Sequence, residues 1–381
     1  MNVLFFLSGP GAIYPNLKVL FFTLLKLFPE DTYYAVCLAP SEISSWHGPK
    51  NLQIITVEQG CCREWARFRL CSHGLGRLAK EKKIDVIWSI NIGPYRHVKT
   101  PNVLFLQNAY QVYPPSVMRY HFHNRLQVTA LRYFFRKSLR HSDGVMVETP
   151  LMAQYVRAMR SAPRRVTAIS KAVESEDDIA IQPLPDQILQ QLDGGLGCNV
   201  FSFFYAASSY PHKNHATLIG AMEVLRRQGV RARIVLTISV DELFALGGEK
   251  ARSLVESGHL LPIGRIGKEH LRPLYDMCGG CVMPSVLESQ SSSHLEAMIW
   301  KKPQISADLP YARELCGDAS LYAEPKNPDD WAAKMQMLME SSEHRERLVA
   351  AGLEQMETFP KTWREVARQV RSFLAEVAGK K

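Results

Sequence analysis

The chain has 381 residues, 46% hydrophobic and 22% charged, enough for two ordinary domains and too apolar for a disordered chain. No apolar run reaches the length needed to cross a bilayer, which excludes a bundle of spanning helices. The formal net charge is +9, and the excess sits in the first half: roughly 23 Lys and Arg against roughly 9 Asp and Glu over residues 1–173, with the remainder near neutral.

Residues 2–8, NVLFFLS, read as a first strand ending in Gly9-Pro10-Gly11, and lack the basic head and cleavage site of a signal peptide. The run 17–28 is interrupted by Lys18 and Lys26 and reads as a buried amphipathic helix. Short apolar stretches at 33–39, 52–58, 85–90, 102–108 and 144–149 follow, with helical stretches between them. Such runs are what strands buried on both faces require, and the alternation predicts a doubly wound parallel sheet.

Two segments of this half, 61–83 and 118–143, mix Arg, Lys and His with aromatics. In the second, Tyr120, Leu126, Leu131, Phe134 and Phe135 interleave with Arg119, Arg125, Arg132, Arg136 and Lys137. A basic amphipathic helix of this kind can lie on an anionic membrane, or bury its aromatics in a core and solvate its charges. No nucleic-acid recognition motif accompanies the charge.

Segment 173–197 is acidic, holds two prolines and closes Gly-rich, which predicts an interdomain connection. A second β/α series follows, with strands at 200–208, 232–239, 279–285 and 303–309 and helices at 215–229 and 293–302. Two α/β units joined by a linker predict a cleft, and ligands of open parallel sheets bind beyond the carboxyl ends of the strands.

The residues after the strands are therefore the candidates. Glu288 follows the 279–285 strand, and Glu296 lies about one turn into the next helix, with Ser289, Ser291, Ser292 and Ser293 between them. A loop entering a helix presents free backbone N–H groups to anions, and hydroxyls add donors. Lys213 follows the first strand of the second unit, within reach of a diphosphate, with Asn214 as an alternative helix cap. Gly264 stands at another strand end.

The eight cysteines are scattered, as in a reducing compartment. Cys278 and Cys281 form a C-x-x-C where a helix ends and a strand begins; no second pair completes a zinc site, so a structural role is expected. His121, His123, His212, His215 and His294 form no metal set at a recognised spacing, and no Asp-x-Asp motif stands in a suitable place. No metal is expected.

The motifs PHKNHATLI, IGRIGKEHLRPLYDMC, PSVLES, HLEAMIWKKP and ARELCGDASLYAEPKNPDDWA resemble, in order and spacing over about 200–335, the C-terminal half of retaining glycosyltransferases of family 4. The segment 359–374 is similar to that family's final helix. The resemblance implies a GT-B fold: α/β, with two Rossmann-like domains facing a central cleft and a C-terminal helix crossing back to the first. The first domain, 1–172 with 359–381, would hold the acceptor, and the second, 196–358, the nucleotide-sugar.

It also implies roles. Glu296 would bind the ribose, Glu288 the donor sugar and Lys213 the leaving pyrophosphate, with Gly264 to Ile266 lining the nucleobase. Gly11 would back the phosphates, and Ser208, Ser289, Ser292, Ser293 and His294 would surround the donor. Asn108 would face the reacting sugar.

Three departures stand out. Ser208 replaces a frequent arginine, ESQSSSH replaces EGFGLP, and Gln107 and Asn108 replace a histidine. The implied function is metal-independent, retaining transfer of a hexose from a UDP- or GDP-sugar, a co-substrate with no separate cofactor. The acceptor would be a glycan or lipid-linked oligosaccharide in surface polysaccharide assembly, and the protein cytoplasmic, peripheral at the inner membrane face. A transferase with a soluble acceptor, and a degenerate GT-B protein that binds nucleotide or glycan without catalysis, are the alternatives.

Overall fold

The computed structural model describes residues 1–7, 15–39, 41–58, 60, 62–118, 125–172, 180–193 and 200–380. The chain divides into two compact units: Met1–Pro114, Asn124–Ala172 and Pro360–Lys381 form the first, Val173–Phe359 with Pro115–His123 the second.

Among the described residues the first unit holds seven strands: β1 (Asn2–Leu7), β2 (Thr32–Ala39), β3 (Leu52–Glu58), β4 (Val86–Ile90), β5 (Asn102–Leu106), β6 (Gly144–Val147) and β7 (Arg165–Ala168). They pair in the order β3-β2-β1-β4-β5-β6-β7, and neighbouring strands run parallel. Val3 to Phe6 are fully buried because the two faces of β1 meet different helices. Val3 and Phe5 pack with Phe21 and Leu24 of the helix Pro15–Leu27, whereas Leu4 and Phe6 pack with Leu70, Leu75 and Ala79. Burial of each such phenylalanine contributes roughly 1.5–3 kcal/mol. Strand β5 stops two residues earlier than its apolar run suggests, because Asn108 caps the short helix Ala109–Val112.

The helix Trp363–Val377 belongs to the first unit. Val366, Val370, Phe373, Leu374 and Val377 enter the same core as Phe5 and Phe21. Gly144 permits the approach: a Cβ there would lie 2.9 Å from Val377 Cγ2. Arg371 Nε then donates to Asp31 Oδ2 at 3.0 Å, and Asp31 is fully buried.

The second unit holds β8 (Phe201–Tyr205), β9 (Ala232–Leu236), β10 (Leu260–Pro262), β11 (Gly280–Met283), β12 (Gln304–Ala307) and β13 (Ser320–Ala323). The order is β10-β9-β8-β11-β12-β13, again with parallel pairs. Its core joins Phe204, Val235, Tyr275, Met283 and Trp300.

The segment expected as a connection carries a helix, Asp186–Asp193. Leu184 and Leu192 enter the second core, so this part of 173–197 is packed structure. Cys278 and Cys281 are buried free thiols, and burial pushes the Cys278 thiol up to about 12, which leaves it inert as a nucleophile. No described helix is long and apolar enough to cross a membrane.

Candidate active site

In the second sheet β8 and β11 are neighbours, and the strand order reverses between them. The crevice beyond the carboxyl ends at such a switch point is where open α/β sheets bind ligands. Lys213 closes a 3₁₀ turn, Pro211–Lys213, that follows β8 and leads into the helix His215–Arg227. Glu288 lies in the loop between β11 and the helix Ser292–Ile299. The side chains meet across the switch point, with Lys213 Nζ 2.5 Å from Glu288 Oε1, at 19% and 12% exposure.

Burial pushes the Glu288 carboxyl upward. The Lys213 ammonium, its hydrogen bond, His212 and the Ser285 hydroxyl outweigh that and hold the carboxyl below its usual range. The result is an ionised pair, reachable from solvent, whose cation and anion sit on different loops.

A buried lattice fixes those loops. The Tyr205 hydroxyl donates to the Lys213 carbonyl at 2.8 Å and lies 3.0 Å from Ser285 Oγ. Val286 N–H donates to the His212 carbonyl at 2.8 Å, and Tyr311 Oη–H to the Ser285 carbonyl at 2.6 Å. Asn214 adopts φ 56° and, though it occupies the N-cap position, makes no side-chain cap bond. Its amide instead donates to the Pro284 and Pro325 carbonyls at 3.1 and 2.6 Å. Asn214 is thus a clamp between three loops rather than the expected cap.

Glu296, the fifth residue of the helix Ser292–Ile299, accepts from the Tyr275 hydroxyl at 3.1 Å. This helix opens at Ser291 without a side-chain cap bond, and its first turn has no acidic residue. Its N-terminal N–H groups and dipole therefore suit an anion. The helix after Lys213 likewise lacks a side-chain cap.

Other expected contacts fall into place unevenly. Ser208 offers its carbonyl to His215 Nε2 at 2.9 Å. Ser293 Oγ donates to the Ala206 carbonyl at 2.9 Å, so this hydroxyl ties the loop to the end of β8. Ser289 and Ser292 are half-buried beside it. Gly264 has φ 78° with open space where a Cβ would stand, while Ile266 turns its side chain to the second core.

His294 is the correction. It was expected among the donor contacts, yet it is fully buried, its ring edge-on to Tyr311 at 6.0 Å, because the third residue of this helix faces inward. Neither ring nitrogen has a hydrogen-bond partner, and burial lowers its pKa to about 4.

In the first unit, Asn108 Oδ1 accepts from Tyr110 N–H at 3.0 Å, so its oxygen serves as a helix cap. Gln107 Nε2 donates to Glu148 Oε1 at 3.1 Å, and Lys171 lies 3.3 Å from the same buried carboxylate. Gly11 lies outside the described residues. Sequence reasoning missed Tyr205, Tyr275 and Tyr311, since an aromatic at a strand or helix end reads as core until its hydroxyl is seen to hold a loop. Among the described residues no cluster of three or more His, Cys, Asp or Glu could hold a metal ion.

The two basic segments meet. Trp65 stacks on Phe68 at 5.6 Å, Phe68 contacts Tyr95 at 5.9 Å, Tyr95 contacts Phe134 at 5.5 Å and Phe134 contacts Tyr133 at 5.4 Å. Lys137 Nζ lies 5.5 Å from both the Phe68 and Tyr95 rings. Phe135 is fully buried, but the ladder's ends are open: Trp65 is 59% and Tyr133 61% exposed, with Leu126 at 84%.

Residues 199–355 match the family described as Glycosyl transferases group 1. A curated relative, the O-antigen chain mannosyltransferase B of Escherichia coli, is 28% identical over 171 residues, a stretch that spans 43% of this chain and 43% of that protein. Among solved structures, sucrose-phosphate synthase from Thermosynechococcus elongatus superposes with a TM-score of 0.71 at 15% identity, covering 99% of both chains. Anabaena HepE in complex with UDP and glucose gives 0.68 at 16% identity, covering 98% of this chain and 99% of that one. At such identities the likeness shows a common fold. Residues 199–355 are thus similar to the group 1 glycosyl transferases, and the chain has the GT-B fold.

Proposed function

We propose that this protein is a retaining, metal-independent glycosyltransferase that moves one hexose from a nucleotide-sugar to a hydroxyl of a glycan or lipid-linked oligosaccharide. The observation that carries the reading is the Lys213–Glu288 pair at the β8/β11 switch point, with Glu296 on the helix entered by the same loop. The donor's diphosphate lies against Lys213 and the uncapped helix N-termini, which stabilise charge developing on the leaving oxygen without reorganisation. Lys213 exchanges Glu288 for phosphate when the donor enters, and Glu288 then accepts from hydroxyls of the donor sugar. Glu296 accepts from the ribose hydroxyls, and the backbone at Gly264 to Ile266 borders the base. The acceptor hydroxyl attacks on the face that the diphosphate leaves, and a phosphate oxygen takes its proton. Carbon–oxygen bond formation at the anomeric centre thus balances loss of the nucleotide diphosphate.

The nucleotide is UDP or GDP, a choice supported by a relative named for mannosyl transfer and a fold neighbour solved with UDP. The first unit holds the acceptor. The exposed end of its aromatic ladder, Leu126 and Tyr133 beside Arg136 and Lys137, suits an anionic membrane at the cytoplasmic face, where a lipid-linked acceptor would be met. Surface polysaccharide assembly fits the relative's O-antigen role.

Incubating the protein with UDP- and GDP-hexoses, with EDTA or magnesium, and reading released nucleotide tests this. Release with one donor, unaffected by EDTA, and an α-linked product from an α-linked donor are the expected results. Nucleotide binding without release would favour the second reading, a binder without catalysis, which Ser208 in place of an arginine motivates.

A further inference from the structure

One feature of the first unit lies outside the donor site. A groove of about 820 Å³ runs between the end of β3 and the helical segment 63–81. Its helical wall carries Trp65, Arg69, His73 and Arg77, an aromatic followed by three nitrogen bases at intervals of four residues. Each of the four is exposed. Among the described residues, Arg69 and Arg77 form no ion pair, and the facing wall offers one carboxylate, Glu58.

The alignment of the four has a cause. In an α-helix, four residues overshoot a full turn by about 40°, so a strict four-residue stripe winds off one face. Here Leu70–Gly74 form a π-helical turn between the helices Arg63–Arg69 and Leu75–Glu81. The wider turn takes up that drift and keeps the stripe on the groove. Such turns are uncommon and concentrate at functional sites. The stripe spans about 18 Å at about 1.5 Å per residue, too long for a single small anion and suited to an extended ligand. Trp65 presents a flat, exposed ring already stacked on Phe68, so little freedom is lost when another ring lies on it.

We infer that this groove binds an acidic saccharide chain, with a pyranose ring on Trp65, its anionic groups on Arg69, His73 and Arg77, and Glu58 accepting from a hydroxyl. The surplus of cationic over anionic groups selects an anionic glycan over a neutral one. If the transferase reading holds, this is where the acceptor's charged residues lie.

Isothermal titration of the full chain with a linear oligogalacturonate tests it, beside a maltooligosaccharide of equal length and inorganic phosphate. The oligogalacturonate binds, with UDP at saturation leaving its affinity unchanged. Arg69→Ala with Arg77→Ala weakens it by about tenfold or more. Trp65→Ala weakens it, and Trp65→Phe restores most of the loss. Lys50→Ala with Lys99→Ala, the same charge change at exposed sites of the same unit, leaves it within about twofold.

Equal loss in the Lys50/Lys99 pair would mean diffuse attraction and would overturn the site. So would a maltooligosaccharide that binds as tightly, inorganic phosphate that binds as tightly through the same arginines, or Trp65→Ala binding like wild type. Because the titration needs no donor, its failure is separable from failure of nucleotide-sugar turnover.

Discussion

Lys213 and Glu288 are 75 residues apart in the chain and in direct contact, their charged atoms 2.5 Å apart where the order of the second sheet reverses. Neither loop could hold its charge there alone: the Tyr205 hydroxyl bridges the carbonyl of one to Ser285 of the other. On the proposed reading, an incoming diphosphate competes with Glu288 for Lys213 and sets the carboxylate free for the sugar. Lys213→Ala should therefore lower turnover by about 10²–10³-fold, the size of effect seen when one preorganised donor to a developing oxyanion is removed. Glu288→Gln should lower kcat with little change in nucleotide affinity. Steady-state kinetics with a single donor separates the two.

Glu296 is proposed to act at the other end of the donor, on the ribose. Losing charge-assisted hydrogen bonds to ribose costs roughly 1.5–3 kcal/mol, so Glu296→Ala should weaken nucleotide binding about tenfold or more. The same substitution also removes the nearer of two acceptors of the Tyr275 hydroxyl, the other being the Ser293 carbonyl. Tyr275→Phe is the control: it removes the hydroxyl and keeps the carboxylate, and should change nucleotide affinity much less. Calorimetric titration with the free nucleotide reads both variants.

His294 should make the protein sensitive to acid. Burial is the main cause of its depressed pKa; Glu288 opposes the shift and Lys213 reinforces it. The unfolded chain binds a proton near pH 6.5 and the folded chain only near 4, so stability is full above the first value and is lost as pH falls towards the second. At about pH 5 the loss from this residue is about 2 kcal/mol. His294→Leu should abolish that part of the slope and raise stability at neutral pH, since two unbonded buried nitrogens are removed. Denaturant unfolding of both proteins at about pH 7 and about pH 5 checks the sign.

Arg371 secures the returning helix. It pairs with Asp31, which is fully buried and also receives the N-terminal ammonium of Met1. Arg371→Ala leaves that carboxylate with one cation and should cost roughly 2–4 kcal/mol. Arg368→Ala, on the exposed face of the same helix, should cost less than about 0.5 kcal/mol. Unfolding midpoints by circular dichroism distinguish them.

Much of the fold was legible because buried parallel strands are written as short apolar runs, and β1, β2, β4 and β8 are of that kind. β7 and β13 were not, because RVTA and SLYA are four residues long and too mixed to show a period. The helix Asp186–Asp193 was hidden in a segment whose acidic and proline content reads as a linker, though Leu184 and Leu192 anchor it. For the candidate site, position after a strand picked out Lys213 and Glu288, which the structure brings into contact, and Glu296, which it places on the next helix. The same rule misread His294, since helical phase, which turns it inward, depends on where the helix begins. Asn214 could not be recognised as a clamp, because the Pro284 and Pro325 carbonyls it holds are far away in sequence.

The most direct measurement is thermal stabilisation against UDP-, GDP- and CDP-sugars, each with EDTA and with magnesium, on wild type and Glu296→Ala. One nucleotide class should raise the wild-type melting temperature, EDTA should leave that shift intact, and Glu296→Ala should lose most of it. No shift with any nucleotide-sugar, or a shift that Glu296→Ala retains in full, would contradict the donor site placed at the switch point of the second sheet.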